Sequence, residues 1–174
     1  RQALSFAGTN RVTTNLKITT LPITLCAWVR PTLTAQFHTL FGDESPALYV
    51  FCDNAKLRFF SSGGVSTSAS YLTSGWQHVG YRWDGATVDF FYNGKRVESV
   101  ALGGTLAINS LKIGVYDSGS LFPYNGIASD LLAYTRLVSD SEIQTLAQRP
   151  GIAYELAPRK TYFIQAATST SQFY

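Results

Sequence analysis

Apolar and polar residues alternate along most of this chain, and helical periodicity is almost absent. Ile23-Thr-Leu-Cys-Ala-Trp-Val29 alternates faces and is closed by Pro31. Phe37–Phe41 and Ala47–Cys52 read as two further strands, with Gly42-Asp43-Glu44-Ser45-Pro46 as the turn between them. Lys56–Phe60 is another strand. The Ser- and Gly-rich stretch that starts at Ser61-Ser-Gly-Gly64 reads as an exposed, mobile loop.

The centre of the chain is the most determinate part. Trp76-Gln-His-Val-Gly-Tyr-Arg-Trp83 alternates, and Asp84-Gly85 then supplies the positive-φ residue that a tight hairpin needs. Val88–Tyr92 follows, then a second such signal at Asn93-Gly94, then Arg96–Leu102. Two Asx-Gly turns nine residues apart, each between β-formers, predict an antiparallel meander. One helix is predicted: Ser139-Asp-Ser-Glu142 has capping-box spacing, Ile143, Leu146 and Ala147 form an apolar stripe, and Pro150-Gly151 ends it. One short helix among ten or more strands gives an all-β fold, a two-sheet sandwich with a covering helix, over residues 1–150. Residues 151–174 read as a tail. Its aromatics Tyr154, Tyr162, Phe163, Phe173 and Tyr174 are too many for a solvated terminus, so it is expected to dock on its own sandwich or on a neighbouring subunit.

Composition narrows the function classes. The chain has 174 residues, enough for one domain with a substantial core, and 24 aromatic residues exclude a disordered chain. No apolar run approaches the ~20 residues of a spanning helix, so membrane insertion is not expected. The net charge of +3 comes from dispersed residues rather than a basic stripe, which argues against nucleic acid. With no methionine and Arg1 at its start, the chain reads as a processed protein or a fragment of a longer one, and it carries no signal-peptide pattern. No Asn-x-Ser/Thr sequon occurs.

Several segments resemble landmarks of one family. Ala3-Leu-Ser-Phe-Ala-Gly8 with Asn10 and Val12, then Ala27-Trp-Val-Arg-Pro31, are similar to the opening strands of laminin-G-like jelly rolls of the concanavalin A-like lectin/glucanase superfamily. Trp76-Gln-His-Val79, Trp83-Asp-Gly85 and Phe91-Tyr-Asn-Gly94 resemble its central run. Ile113-Gly114, Tyr124-Asn-Gly126, Asp130, Tyr134-Thr-Arg136 and Ser139–Leu146 resemble its closing strand and helix. The resemblance covers about residues 3–148 and implies an antiparallel jelly-roll sandwich of two sheets, six or seven strands each. The segment Pro150–Arg159 is similar to one that follows such domains in tailed-phage and environmental bacterial proteins.

Glycosidases of that superfamily place two or three carboxylates along one strand face. None of the eleven acids here stands in a Glu-x-Asp-x-x-Glu arrangement, and no predicted strand carries two acids on one face, so catalysis is not expected. His38 and His78, forty residues apart with no Cys-x-x-Cys, give no zinc pattern. Cys26 and Cys52 admit a disulfide across neighbouring strands or two buried thiols, the second weighing more. The resemblance implies calcium as the one plausible cofactor, because relatives hold it in rim loops; Asp43, Asp53, Asn54 and Asp117 are the loop residues of the right type, Asp43 first. Tyr71, Tyr116, Phe122 and Tyr124 stand beside polar loops as platforms for a sugar. These features point to a non-catalytic adhesion module that recognises a glycan or a protein surface through rim loops. The alternative is a structural virion component, a capsid decoration or tail-associated domain, in which the tail contacts neighbouring subunits or another copy. Either role places the chain outside the cell or on a virion surface.

Overall fold

The computed structural model describes residues 3–7, 10–32, 37–43, 48–53, 55–115, 122–152 and 162–163. The strands are β1 (Leu4–Ala7), β2 (Val12–Thr13), β3 (Ile23–Pro31), β4 (Phe37–Gly42), β5 (Leu48–Asp53), β6 (Lys56–Ser61) and β7 (Gly64–Ser70). They continue as β8 (Gln77–Trp83), β9 (Thr87–Tyr92), β10 (Lys95–Ala101), β11 (Lys112–Ile113) and β12 (Asn125–Tyr134), then helix α1 (Asp140–Gln148) and β13 (Tyr162–Phe163). They form two antiparallel sheets, the first ordered β1-β12-β3-β8-β9-β10 with β13 also on β12, the second β2-β11-β4-β5-β6-β7. This is the expected jelly-roll sandwich.

Both Asx-Gly hairpins form where the sequence placed them. Asp84 Oδ1 accepts from the amides of Ala86 (2.8 Å) and Thr87 (2.7 Å), and Gly85 takes φ +99°. At the second turn Asn93 and Gly94 both have positive φ, the pair of conformations that matches strand twist in a two-residue hairpin. The register that follows pairs Trp83 with Val88 and Tyr81 with Phe90.

Alternation then sorts side chains into layers. Leu25, Ala27 and Val29 on β3, Val79, Tyr81 and Trp83 on β8, and Leu57 and Phe59 on β6 point between the sheets and are buried. Phe59 lies 5.4 Å from the Trp83 ring and 6.2 Å from Tyr81, joining the two layers. Trp83 satisfies its indole N–H on the Leu102 carbonyl at 2.8 Å. Each such aromatic burial contributes roughly 2–3 kcal/mol.

The alternate residues of the first sheet face outward, and there Cys26, Phe91 and Leu132 meet Val138, Ile143, Leu146 and Ile152 in a second cluster beneath α1. The capping box is complete: Ser139 Oγ accepts from the Glu142 amide, and the Glu142 carboxylate accepts from the Ser139 amide. A Cβ on Gly94 would come within 2.9 Å of Ala147 Cβ, so a glycine is needed where the helix crosses the hairpin. Cys26 is a free thiol, its pKa pushed up to about 12 by burial. The disulfide reading fails: Cys26 faces the helix from the first sheet, whereas Cys52 belongs to β5 of the second.

Two further expectations are corrected or extended. The stretch after Ser61 is not a loop but the edge strand β7, paired with β6 after a two-residue turn. Serine is tolerated there because Ser68 Oγ accepts from the Leu57 amide (3.0 Å) and donates to the Ala69 carbonyl (2.8 Å). Within the tail, Tyr162–Phe163 pairs with Leu132 and Ala133 of β12. Tyr154, Phe173 and Tyr174 lie outside the described residues.

The strand directions define two rims. One, the upper rim here, carries Pro31, the β5–β6 turn, the β9–β10 hairpin and the segment 71–76; the other, the lower rim, carries the β6–β7 and β8–β9 hairpins.

Candidate functional site: an aromatic upper rim

Among the described residues four large apolar side chains are notably exposed: Val65, Trp76, Phe122 and Leu137. Trp76 and Phe122 belong to the upper rim. Gln77, opposite Val29, points into the core and is buried; its amide clamps the preceding turn, with Oε1 accepting from the Thr73 amide (3.0 Å) and Nε2 donating to the Thr73 carbonyl (2.7 Å). By alternation Trp76 is turned to the outer face, where it is 44% exposed. The Arg30 guanidinium carbon lies 5.9 Å from the centre of its ring. One step further down the strands, Trp28 and His78 meet edge to face at 5.9 Å. Trp28 Nε1 and His78 Nδ1 are buried and have no hydrogen-bond partner among the described residues. Burial lowers the His78 pKa to about 4, so the ring is neutral at physiological pH.

Phe122, 47% exposed, sits at φ +49°, and its carbonyl accepts from the Thr39 amide at 2.8 Å. The next carbonyl, on Pro123, is 3.0 Å from His38 Nδ1, so two bonds from β4 hold this segment to the rim. Tyr71 is half-buried, its ring 5.8 Å from Tyr92; burial and the Glu98 carboxylate beside its hydroxyl raise its pKa.

The remaining expected site residues divide as follows. Tyr124 is no surface platform: it is fully buried, edge-on to Phe6 at 5.6 Å, because its amide donates to Gly114 and draws the chain inward. Tyr116, Asn54 and Asp117 lie outside the described residues. Asp53 ends β5 at the upper rim. Asp43 follows β4 at the lower rim, fully buried, its carboxylate accepting from the amides of Asn109 (3.2 Å) and Ser110 (3.3 Å). The antiparallel register separates Asp43 from Asp53 by five strand residues, about 17 Å, so the two cannot hold one ion. Among the described residues no three His, Cys, Asp or Glu side chains are grouped to hold a metal. The sequence reading missed Trp76, taking it as the first residue of a strand; the inward fate of Gln77 is what turns it out.

A cleft of about 480 Å³ opens toward the lower rim between Arg82, Asp89, Arg96 and Ser99 of the sheet and Leu137–Ser139 before α1. Arg82 fills its floor, donating to Asp89 Oδ2 (2.6 and 2.9 Å), the Val138 carbonyl (2.8 Å) and Asp140 Oδ1 (2.8 Å). Ser99 bonds the other Asp89 oxygen. These groups fasten the helix start to the sheet.

A model of the family described as the Concanavalin A-like lectin/glucanases superfamily, in its laminin-G-like branch, matches residues 6–144. The chain belongs to this superfamily. Solved structures agree on the fold. A heptameric SAP-like pentraxin from Limulus polyphemus superposes with TM-score 0.68 at 16% identity, over 83% of this chain and 81% of that one. Domain 4 of AbnA, an extracellular arabinanase from Geobacillus stearothermophilus, in complex with arabinotriose, gives 0.58 at 23% identity, over 75% and 68%. A putative carbohydrate binding protein from Bacteroides ovatus gives 0.63 at 15% identity, over 82% of this chain but 45% of that one. Comparison with the curated proteins finds no match. No helix among the described residues is long and apolar enough to cross a membrane.

Proposed function

We propose that this domain is a non-catalytic carbohydrate-binding module of an extracellular or surface protein, and that the sugar is taken at the upper rim on Trp76. The observation that carries the reading is the 44% exposed indole of Trp76 on the upper rim, just after a turn whose backbone the Gln77 amide clamps at Thr73. An indole offers a sugar ring a large apolar face with little loss of rotamer freedom, since it has only two side-chain torsions to fix. Phe122, on the same rim, adds a second exposed ring. The superfamily membership and the likeness to a domain solved with arabinotriose support a glycan as the ligand.

A glycan array tests this, run with calcium and again with chelator. The wild type is expected to bind saturably, and Trp76→Ala to bind at least about tenfold more weakly with unchanged melting temperature. Loss of wild-type binding with chelator would bring calcium into the site, with Asp53 the first residue to mutate. A Trp76→Ala variant that binds as the wild type does would remove the proposed site.

A further inference from the structure

On the outer face of the first sheet Arg82 and Arg96 are matched with carboxylates, as is Arg136 just past β12, whereas among the described residues one arginine of that face is not. Arg82 pairs with Asp89 and Asp140, Arg96 lies 3.4 Å from Asp140, and Arg136 pairs with Glu142 at 2.7 Å. Arg30, exposed on the same face, has no carboxylate partner among the described residues. The residues beside it in register, Ile127 on β12 and Trp76 ahead of β8, are uncharged. Its guanidinium lies near the Trp76 ring, and cation–π attraction limits how far it wanders. A guanidinium that is unmatched among the described residues and lies next to a half-exposed indole presents a planar donor fork beside an apolar platform.

We propose that the ligand of this rim is an acidic glycan, whose carboxylate or sulfate oxygens pair with Arg30 while the sugar face bearing them rests on Trp76. This rests on the carbohydrate-binding reading above and adds the charge of the ligand. A charge-assisted, two-pronged hydrogen bond at a partly exposed position is worth about tenfold in affinity, and it weakens with salt.

The test measures affinities of the full chain by titration calorimetry for trigalacturonic acid and 3′-sialyllactose as carboxylates, a sulfated chondroitin tetrasaccharide as the sulfate, and lactose and cellotriose as neutral probes. An acidic probe is expected to bind about tenfold more tightly than the neutral ones, with the advantage shrinking between 50 and 500 mM salt. Arg30→Gln is expected to remove that advantage, bringing the acidic probes to the affinity of the neutral ones measured on the same variant, and whichever acidic class responds identifies the oxyanion. Arg30 is exposed, so the substitution leaves the fold intact, and an unchanged circular dichroism melt verifies it. No acidic preference in the wild type, or an acidic preference that survives Arg30→Gln, overturns the proposal. Neutral binding that is lost in Trp76→Ala would then leave the carbohydrate-binding reading standing.

Discussion

Acidification between pH 7.5 and 5 should unfold this domain more easily, and His78 is the cause. Its ring is buried against Trp28, and Nδ1 has no hydrogen-bond partner among the described residues. Burial holds its folded-state pKa at about 4, against 6.5 for a free histidine. As pH falls below 6.5 the unfolded chain takes up a proton at this position and the folded chain does not, so stability drops until the folded pKa is reached. Linkage with these two values gives a loss of about 2 kcal/mol at pH 5, and about 3 kcal/mol at pH 4. For a domain of this size, the pH 5 figure corresponds to a melting temperature lowered by about 4–8 °C. Urea unfolding at pH 7.5, 6.5, 5.5 and 5.0 reads the effect directly. Comparison with His78→Gln isolates it, because glutamine does not titrate whatever it costs at pH 7.5. Equal stability of the wild type at pH 7.5 and 5.0, or a His78→Gln variant that loses as much as the wild type, would refute the reasoning.

Two other perturbations test how α1 is held. Arg82→Gln removes the bonds to Asp89, Asp140 and the Val138 carbonyl at once; discounting the exposed Asp140, it should cost about 2–3 kcal/mol by chemical denaturation, while sugar binding at the opposite rim stays unchanged. Glu142 is held down to about 2 by Arg136 and by the Ser139 hydroxyl and amide, so its contribution is present above pH 4.5 and is lost as pH falls from there toward 2. Ser139→Ala should cost about 1 kcal/mol at pH 7 and flatten that acid limb, as measured by melting curves at pH 7, 4 and 3.

Where the chain's local rules are strong, the sequence and the structure agree. Asp84-Gly85 and Asn93-Gly94 set two turns whose backbone conformations few other residue pairs adopt, and those turns fix the register of β8, β9 and β10. Ser139 and Glu142 start the helix by bonds that lie within four residues of chain. Alternation split β3 and β8 into two faces, and in the structure Leu25, Ala27, Val29, Val79, Tyr81 and Trp83 share the core one, because a strand can turn only every second side chain inward. The motifs that point to the superfamily lie along these same elements.

What depended on distant partners was not legible. Asp43 reads as a loop carboxylate until the amides of Asn109 and Ser110, more than sixty residues away, fold over it. Tyr124 stands among surface-like residues in the chain, yet its bond to Gly114 turns it into the core beside Phe6. The polar stretch after Ser61 becomes a strand only because β6 offers a partner edge and Ser68 meets its own hydrogen-bonding needs there. Trp76 and Arg30, forty-six residues apart in the chain, become a single feature because β3 and β8 are neighbours and the Gln77 clamp turns the indole outward. Local hydrogen bonding and alternation thus determine the elements and their faces; which side chains are left at a rim, and which are covered, is decided by the packing of segments that only the folded sandwich brings together.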